Sequence, residues 1–374
     1  MLKTTLPVYR PVLPPVESLL PYLAGLDASR IYTNRGTLNE QLESRLALLL
    51  AGRAETLVTA ASGTAALQAA ILAHAGRPRG GRTLALIPGY TFVATAFAAL
   101  AAGYEPLFCD LAPASWRLRP DDLPPGLHTE RLGLVLPVAP FGEMPLQDDW
   151  SAFQARTGIP VVIDAAASFE AALAAPGAAV GAVPVALSFH ATKSFSTGEG
   201  GAVLWADREG LVRAAQAMNF GMIYTRESRT AGFNGKLSEY HAAIGLAWLD
   251  GLDQRITARR RVAADYRAAA AAHGLADRLI LPPEIASCYA LFRADTGAEA
   301  DAVAAALAAA GIETRRWYGL GVQAESYFRA HGAAPLPETE RLAARILGLP
   351  IAEDIGAADI ARILRTLATG DAHE

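Results

Sequence analysis

Residues 57–74 read LVTAASGTAALQAAILAH and join a short apolar strand to an Ala-rich helix through a turn of small residues. We predict the strand at Leu57–Thr59 and the helix at Gly63–His74, with Ser62 as its N-cap. A second predicted strand, Thr83–Ile87, follows the helix. A strand, a helix and a second strand in this order are typical of a βαβ unit with parallel strands.

The same alternation of strands and helices continues along the chain. The further predicted strands are Glu105–Cys109, Gly133–Val138, Pro160–Ile163, Val185–Phe189 and Gly201–Trp205, and the further predicted helices are Phe92–Ala102 and Leu146–Thr157. This alternation predicts an α/β fold with a mainly parallel, doubly wound sheet that helices cover on both faces.

The pattern changes near residue 250. A long Arg-rich helix is predicted at Asp250–His273, followed by a break at Leu281–Pro283, a strand at Ser287–Arg293, and helices at Glu299–Ala310 and Ala357–Leu367. We therefore predict a large domain over residues 1–250, which includes a Pro-rich N-terminal arm, and a smaller C-terminal α/β domain over residues 251–374.

The charge balance argues against two classes of partner. With 33 basic and 37 acidic residues, the chain has no overall positive field to hold nucleic acid or an anionic membrane. The longest uncharged stretch, Thr83–Tyr104, contains Pro88 and Gly89, so no membrane-spanning helix is predicted. Cys109 and Cys288 form no disulfide framework, and prolines interrupt what would be a signal sequence, so we expect a cytoplasmic protein.

Several common chemical motifs are absent from the sequence. No GxGxxG follows a predicted strand, and neither GxxxxGKS/T nor GxSxG occurs. The seven histidines show no i, i+4 pairing, so no metal site is predicted. These absences weaken the hypothesis of a nicotinamide-dependent oxidoreductase, which stays open as an alternative.

Three polar features lie where predicted strands end, which is where open α/β sheets bind ligands. The turn Ser62-Gly63-Thr64 begins a helix and offers N–H groups to a phosphate, although Ser62 is equally well explained as an ordinary N-cap.

Asp164 ends the apolar run Val161–Ile163, where a carboxylate either caps the next segment or needs a donor. Lys193 lies in the Gly-rich segment Ser188–Gly201, where it is either solvated or, if desolvated, nucleophilic toward carbonyls. Together they suit an aldehyde cofactor with a phosphate and a ring nitrogen.

With these motifs the chain resembles the DegT/DnrJ/EryC1/StrS family of sugar aminotransferases, pyridoxal-phosphate enzymes of the aspartate-aminotransferase-like fold (fold type I). The matching segments span nearly the whole sequence: Tyr32–Gly36 with Leu42-Glu43, Ser62–Leu67, Pro88–Thr95, Asp164, Ser188–Gly201, Gly232–Glu239 and Leu349–Ile351. The resemblance implies this fold and pyridoxal 5′-phosphate as cofactor.

The resemblance also implies the roles of individual residues. Lys193 would form the Schiff base with the cofactor and then move a proton between the cofactor C4′ and the substrate carbon. Asp164 would hold the pyridine nitrogen protonated, so that the ring withdraws electrons.

Other residues would hold the cofactor. Gly63, Thr64 and Ser188 would bind the phosphate, and Phe92 would stack on one face of the ring unless it packs in the core. Asn234 would reach the phosphate of the neighbouring subunit's cofactor, unless its Gly-Phe-Asn-Gly context is only a turn. A role across subunits implies a homodimer with shared active sites.

The chain departs from the family pattern at two places. Ala165-Ala166-Ala167-Ser168 stands where many members carry a Gln or His that covers the second face of the cofactor. Trp317–Gly321 stands where members often have a Tyr followed by Pro-Leu-His. Contacts to the sugar therefore transfer least well, and Asn34 and Tyr318 are the candidates for them.

These observations predict a transaminase that moves an amino group from an amino acid, L-glutamate by expectation, to a nucleotide-linked keto-deoxy sugar. The preferred acceptor is a dTDP-4-keto-6-deoxyhexose. A catalytically silent regulatory or scaffold protein on the same fold remains an alternative, because an intact fold need not keep its chemistry.

Overall fold

The computed structural model describes residues 5–113, 115–123, 130–281 and 288–370. The chain divides into two units, one over Leu13–Asp250 and one that joins the described parts of Met1–Val12 and Gly251–Glu374. The assignment of a cofactor-binding domain to residues 1–250 and of a small domain to residues 251–374 stays a prediction.

The N-terminal arm, predicted to be extended over residues 7–21, is divided: its part up to Val12 belongs to the second unit, and the chain from Leu13 belongs to the first, where Val16–Ser29 is helical. Leu6 forms a parallel bridge with Ile312, and Tyr9 forms one with Ile351. The extended backbone of the arm therefore finds its hydrogen-bond partners in the C-terminal unit.

The unit Leu13–Asp250 alternates helices and strands, as the sequence predicts. Its helices are α1 (Val16–Ser29), α2 (Thr37–Ala51), α3 (Gly63–His74), α4 (Val93–Ala102), α5 (Gln147–Thr157), α6 (Phe169–Ala174), α7 (Arg208–Met218) and α8 (Glu239–Asp250). Its strands are β1 (Leu57–Ala60), β2 (Leu84–Pro88), β3 (Glu105–Cys109), β4 (Leu132–Val135), β5 (Ile163–Asp164), β6 (Val185–Ser188) and β7 (Gly201–Leu204).

These strands form two ladders that isolated bridges connect. One ladder has the order β1-β7-β6-β5 and the other the order β3-β2-β4. Parallel bridges from Val135 to Val161 and from Val138 to Asp164 place β4 beside β5. Every pairing between named strands here is parallel except those of β7, which runs antiparallel to β1 and β6. This confirms the predicted mainly parallel α/β sheet.

Several predicted strands are shorter in the structure, and β4 and β5 show a physical reason. Gly133–Val138 and Pro160–Ile163 were expected, but β4 ends at Val135 and β5 begins at Ile163. Pro137 and Pro160 have no N–H to donate, and they take part only as acceptors, through bonds of 2.9 Å from the Asp164 N–H and 3.0 Å from the Val135 N–H.

The second unit combines helices with a small antiparallel sheet. Its helices are α9 (Leu252–Ala272), α10 (Gly297–Ala309), α11 (Ser326–Ala330), α12 (Pro337–Arg345) and α13 (Ala357–Gly370), and its strands are β8 (Leu279–Ile280), β9 (Ala290–Arg293) and β10 (Ile346–Leu349). The sheet order is β10-β9-β8. The predicted break at Pro282-Pro283 and the predicted strand start at Ser287 lie outside the described residues. Nowhere in the described chain is a helix long and apolar enough to cross a membrane.

Candidate active site

The directions of the strands bring the predicted site residues to one edge of the sheet. Because β1 and β6 both run antiparallel to β7, they share one direction, and the pairings Ala60↔Gly201 and Ser188↔Gly201 align their carboxyl ends. Asp164 ends the next strand, β5, and pairs with Ala186 in parallel register. The turn after Ala60, the carboxylate of Asp164 and the segment after Ser188 therefore lie along this edge.

The turn before α3 lies in close contact with the end of β6. A Cβ atom at Gly63 would lie only 2.7 Å from the Cβ of Ser188. The backbone of Gly63 and the side chain of Ser188 are therefore closer together than a larger residue at position 63 would allow. Ser62 is the helix N-cap and accepts from the Ala65 N–H at 3.0 Å. The N–H groups of Gly63 and Thr64 lie in the first turn of α3, before the N–H that Ser62 caps. They can donate hydrogen bonds to an anion beside Ser188.

Asp164 is a buried carboxylate with a donor on each oxygen. Its side chain is 5% exposed. Oδ2 accepts from the Thr95 hydroxyl at 2.7 Å, and Oδ1 accepts from the Ala166 N–H at 3.1 Å. Burial raises the pKa of Asp164, and the two hydrogen bonds and the positive charge of Lys193 oppose that rise. Asp164 thus partly caps the next segment, and it also lies within electrostatic reach of Lys193.

Lys193 lies on a segment that hydrogen bonds hold in a fixed shape. The N–H groups of Phe189 and Ala191 donate to Gly200 and Gly198 at 2.8 and 2.9 Å, which closes the segment onto itself. The Lys193 N–H donates to the His190 carbonyl at 2.9 Å. Lys193 is partly buried, so the interpretation as a fully solvated surface lysine does not hold.

The remaining predicted residues lie at the surface of their units. Phe92 precedes α4 and is 58% exposed, so it is not a core residue of the described chain. Asn234 is exposed, and its Oδ1 accepts from the Lys236 ammonium at 2.9 Å. Asn34 lines a cavity of about 610 Å³ whose lining includes neither Asp164 nor Lys193. Tyr318 lies in the C-terminal unit and is partly buried.

Sequence reasoning missed the residues that support Asp164. Thr95 is fully buried and Thr91 is 2% exposed, and their hydroxyl oxygens are 2.8 Å apart. Both lie in the motif Pro88–Thr95, but no role was assigned to them. The signal was available, because two threonines four residues apart at a helix start lie on one side of that helix.

Two other motif segments prove to be structural. Glu239 is buried and accepts from the N–H groups of Gly36 and Leu38 at 2.9 and 2.8 Å, which satisfies the start of α2. Glu43 accepts from the Thr59 N–H at 2.8 Å and pairs with Arg35 at 2.7 Å. These carboxylates connect segments that are distant in the sequence, and their hydrogen bonds stabilise the fold.

Comparisons with known proteins identify the family of this chain. A model of the DegT/DnrJ/EryC1/StrS aminotransferase family matches residues 17–368. Protein Rv3402c of Mycobacterium tuberculosis strain H37Rv is 33% identical over 376 residues, which cover 96% of this chain and 88% of that protein. The UDP-2-acetamido-2-deoxy-3-oxo-D-glucuronate aminotransferase of Pseudomonas aeruginosa is 30% identical over 330 residues, covering 87% and 89%.

Among solved structures, the crystal structure of DesI in the presence of its TDP-sugar product is similar to this chain. The TM-score is 0.83 at 30% identity, and the match covers 99% of this chain and 94% of that one. The likeness thus extends over both units taken individually, as the predicted fold type I requires.

Proposed function

This chain belongs to the DegT/DnrJ/EryC1/StrS aminotransferase family, whose members are sugar aminotransferases that use pyridoxal 5′-phosphate, and from that premise we propose its substrates and the roles of its residues. The acceptor is a nucleotide-linked keto-deoxy sugar, and the preferred candidate is a dTDP-4-keto-6-deoxyhexose. The amino donor is L-glutamate. Family membership favours this function over the nicotinamide-dependent alternative. The single observation that carries the residue assignments is the buried Asp164 carboxylate beside Lys193 at the sheet edge.

The described residues fit the cofactor. When bound, pyridoxal phosphate supplies an aldehyde that condenses with amines and a pyridine ring that withdraws electrons. The N–H groups of Gly63 and Thr64 at the start of α3, beside the hydroxyl group of Ser188 that Gly63 approaches closely, suit its phosphate. Buried Asp164 is an acceptor for a ring N–H.

Lys193 would be the amine that condenses with the cofactor aldehyde, with release of water, and, once its amine is free again, the base that carries the proton from the substrate carbon. Its place on a closed, hydrogen-bonded segment limits the positions its ammonium can take. Phe92, exposed at the start of α4, offers a flat apolar face to the ring.

The sugar class rests on the relatives. DesI was crystallised with a TDP-sugar product, which supports a dTDP-linked acceptor. The name of the Pseudomonas relative describes an enzyme that acts on a UDP-linked 3-oxo sugar. A UDP-linked 3-oxo sugar is therefore the alternative acceptor to test beside the dTDP-linked sugar. Asn34, whose backbone has φ +66°, and Tyr318 are proposed to contact the sugar.

We propose a homodimer in which Asn234 serves the partner's site. Asn234 lies at the surface of its unit, and the neighbouring segment exposes Phe220 by 48% and Tyr224 by 93%. Large exposed aromatic side chains are typical of surfaces that another chain covers. We also propose that the enzyme works in the cytoplasm.

The test is a direct assay of the purified protein, incubated with pyridoxal 5′-phosphate, with L-glutamate as the donor. It is offered dTDP-4-keto-6-deoxyhexoses and a UDP-linked 3-oxo sugar, and products are read by mass spectrometry and NMR. Amination of a dTDP sugar at C4 is expected, and Lys193→Ala should abolish it. If only the UDP sugar is aminated, the acceptor is a UDP-linked sugar and the proposed dTDP-linked acceptor is wrong. No amination and no absorption from bound cofactor would favour the regulatory alternative.

A further inference from the structure

The carboxylate of Asp164 has a buried support that the proposed chemistry does not yet use. Thr95 has no exposed surface, and its hydroxyl lies 2.7 Å from Asp164 Oδ2. Thr91 is 2% exposed, and its hydroxyl lies 2.8 Å from that of Thr95. Three buried polar side chains thus form a continuous row.

The direction of the protons in this row follows from valence. An ionised carboxylate only accepts hydrogen bonds, so the single proton of the Thr95 hydroxyl points to Asp164. Thr95 then has only acceptor capacity left toward Thr91, and the Thr91 hydroxyl must donate to it. Both hydroxyls therefore direct a proton toward the carboxylate, and such chains polarise each other.

We propose that Thr91 and Thr95 are positioning residues for the cofactor ring: their hydroxyls fix the rotation of the Asp164 carboxyl group and hold it ionised for a ring N–H. This rests on the role proposed for Asp164. The Ala166 N–H at 3.1 Å fixes the other oxygen, so the carboxyl group is held at both atoms. The direction of the pKa shifts agrees, because the Thr95 bond opposes the rise that burial causes in the pKa of Asp164.

The position of the two threonines makes the support rigid. Thr91 precedes α4, and Thr95 lies in its first turn. The Thr95 N–H donates to the Phe92 carbonyl at 3.2 Å, and the Thr91 N–H donates to Gly89 at 3.0 Å. The hydroxyls are therefore attached to backbone that local hydrogen bonds order, and they act on Asp164 through hydrogen bonds.

The experiment compares two cofactors. The full chain is freed of cofactor and titrated with pyridoxal 5′-phosphate and with its analogue in which carbon replaces the ring nitrogen. Asp164→Asn, Thr95→Val, Thr95→Ser and Thr91→Val are measured beside the parent. Thr56→Val is the matched control, because Thr56 is equally buried but bonds to the Arg53 carbonyl.

Thr95→Val is expected to weaken binding of pyridoxal phosphate roughly tenfold, while affinity for the analogue changes less than about twofold. Thr95→Ser should restore most of the loss, and Thr91→Val should lose roughly threefold, because it acts through one more hydroxyl. Thr56→Val should leave the ratio of the two affinities at the parent's value.

Equal weakening of both cofactors by Thr95→Val would overturn the inference, since a merely structural role does not distinguish the ring nitrogen. If Asp164→Asn discriminates between the cofactors and neither threonine variant does, only this inference fails. If Asp164→Asn itself does not discriminate, the proposed role of Asp164 fails with it. Unfolding of each cofactor-free variant in urea identifies any variant that has not folded, and if Thr95→Val is among them, Thr91→Val carries the comparison.

Discussion

At the edge of the sheet, Gly63 has no space for a larger side chain. A methyl group there would lie 2.7 Å from the Cβ and 3.0 Å from the Oγ of Ser188. Gly63→Ala is expected to cost about 1–3 kcal/mol of unfolding free energy and to weaken cofactor binding, because the two backbones must separate. Gly25→Ala is the control, since nothing lies within 4 Å of its added Cβ. Equal unfolding midpoints in urea for the two variants would contradict the close approach.

Replacing Asp164 is expected to have opposite effects on stability without and with the cofactor. Burial raises its pKa in the protein without cofactor. An acid with a higher pKa in the folded state binds more protons there, so its contribution to stability falls as the pH rises through the interval between the unfolded and folded values. Asp164→Asn removes this loss, so the cofactor-free variant should gain stability relative to the parent as the pH rises from about 4.

With the cofactor bound, Asp164→Asn should instead destabilise the protein, because the ring N–H loses its anionic acceptor. Urea unfolding over a pH series, with and without pyridoxal phosphate, measures both effects. Parallel stability curves for parent and variant without cofactor would show that Asp164 titrates as an exposed carboxyl does.

At the scale of elements, the start of α2 depends on a side chain from a distant part of the chain. Glu239 accepts from the Gly36 and Leu38 N–H groups, so it satisfies donors that a helix leaves unpaired and places a negative charge at the positive end of the dipole. Glu239→Gln is expected to lower the free energy of unfolding by about 1–3 kcal/mol. Glu227 is exposed, and Glu227→Gln should change the free energy of unfolding by less than about 0.5 kcal/mol. Equal effects of the two substitutions would contradict the capping role of Glu239.

The elements also show what local sequence could predict and what it could not. The bounds of α3 and β3 agree with prediction, because a cap and a clear change of periodicity mark them. The ends of β4 and β5 were misplaced, since apolar runs through Pro137 and Pro160 look like strand but cannot donate. The Thr95–Asp164 bond joins residues 69 positions apart, and only the strand order brings them together.

For the whole molecule, the decisive question is whether a site takes residues from two chains. Asn234 lies at the surface of the unit that carries Lys193, and Lys236 holds its Oδ1 at 2.9 Å, which leaves the amide nitrogen as the donor for another partner. If that partner is a phosphate in a second subunit, Asn234→Ala should weaken cofactor binding and activity without altering Asp164 or Lys193. Gel filtration of the parent should show a dimer.

Mixing an inactive variant with a weakened one separates shared sites from sites within one chain. In a dimer of a Lys193→Ala chain and an Asn234→Ala chain, a shared architecture gives one site with both defects and one site with neither. Random exchange at equal amounts should therefore restore about a quarter of the parent activity, since half of the dimers are mixed and each has one intact site. If each site belonged to one chain, every site in the mixture would keep one defect. Activity that stays at the mean of the two separate variants would then assign Asn234 to its own subunit and overturn the shared site, while leaving the roles of Lys193 and Asp164 in place.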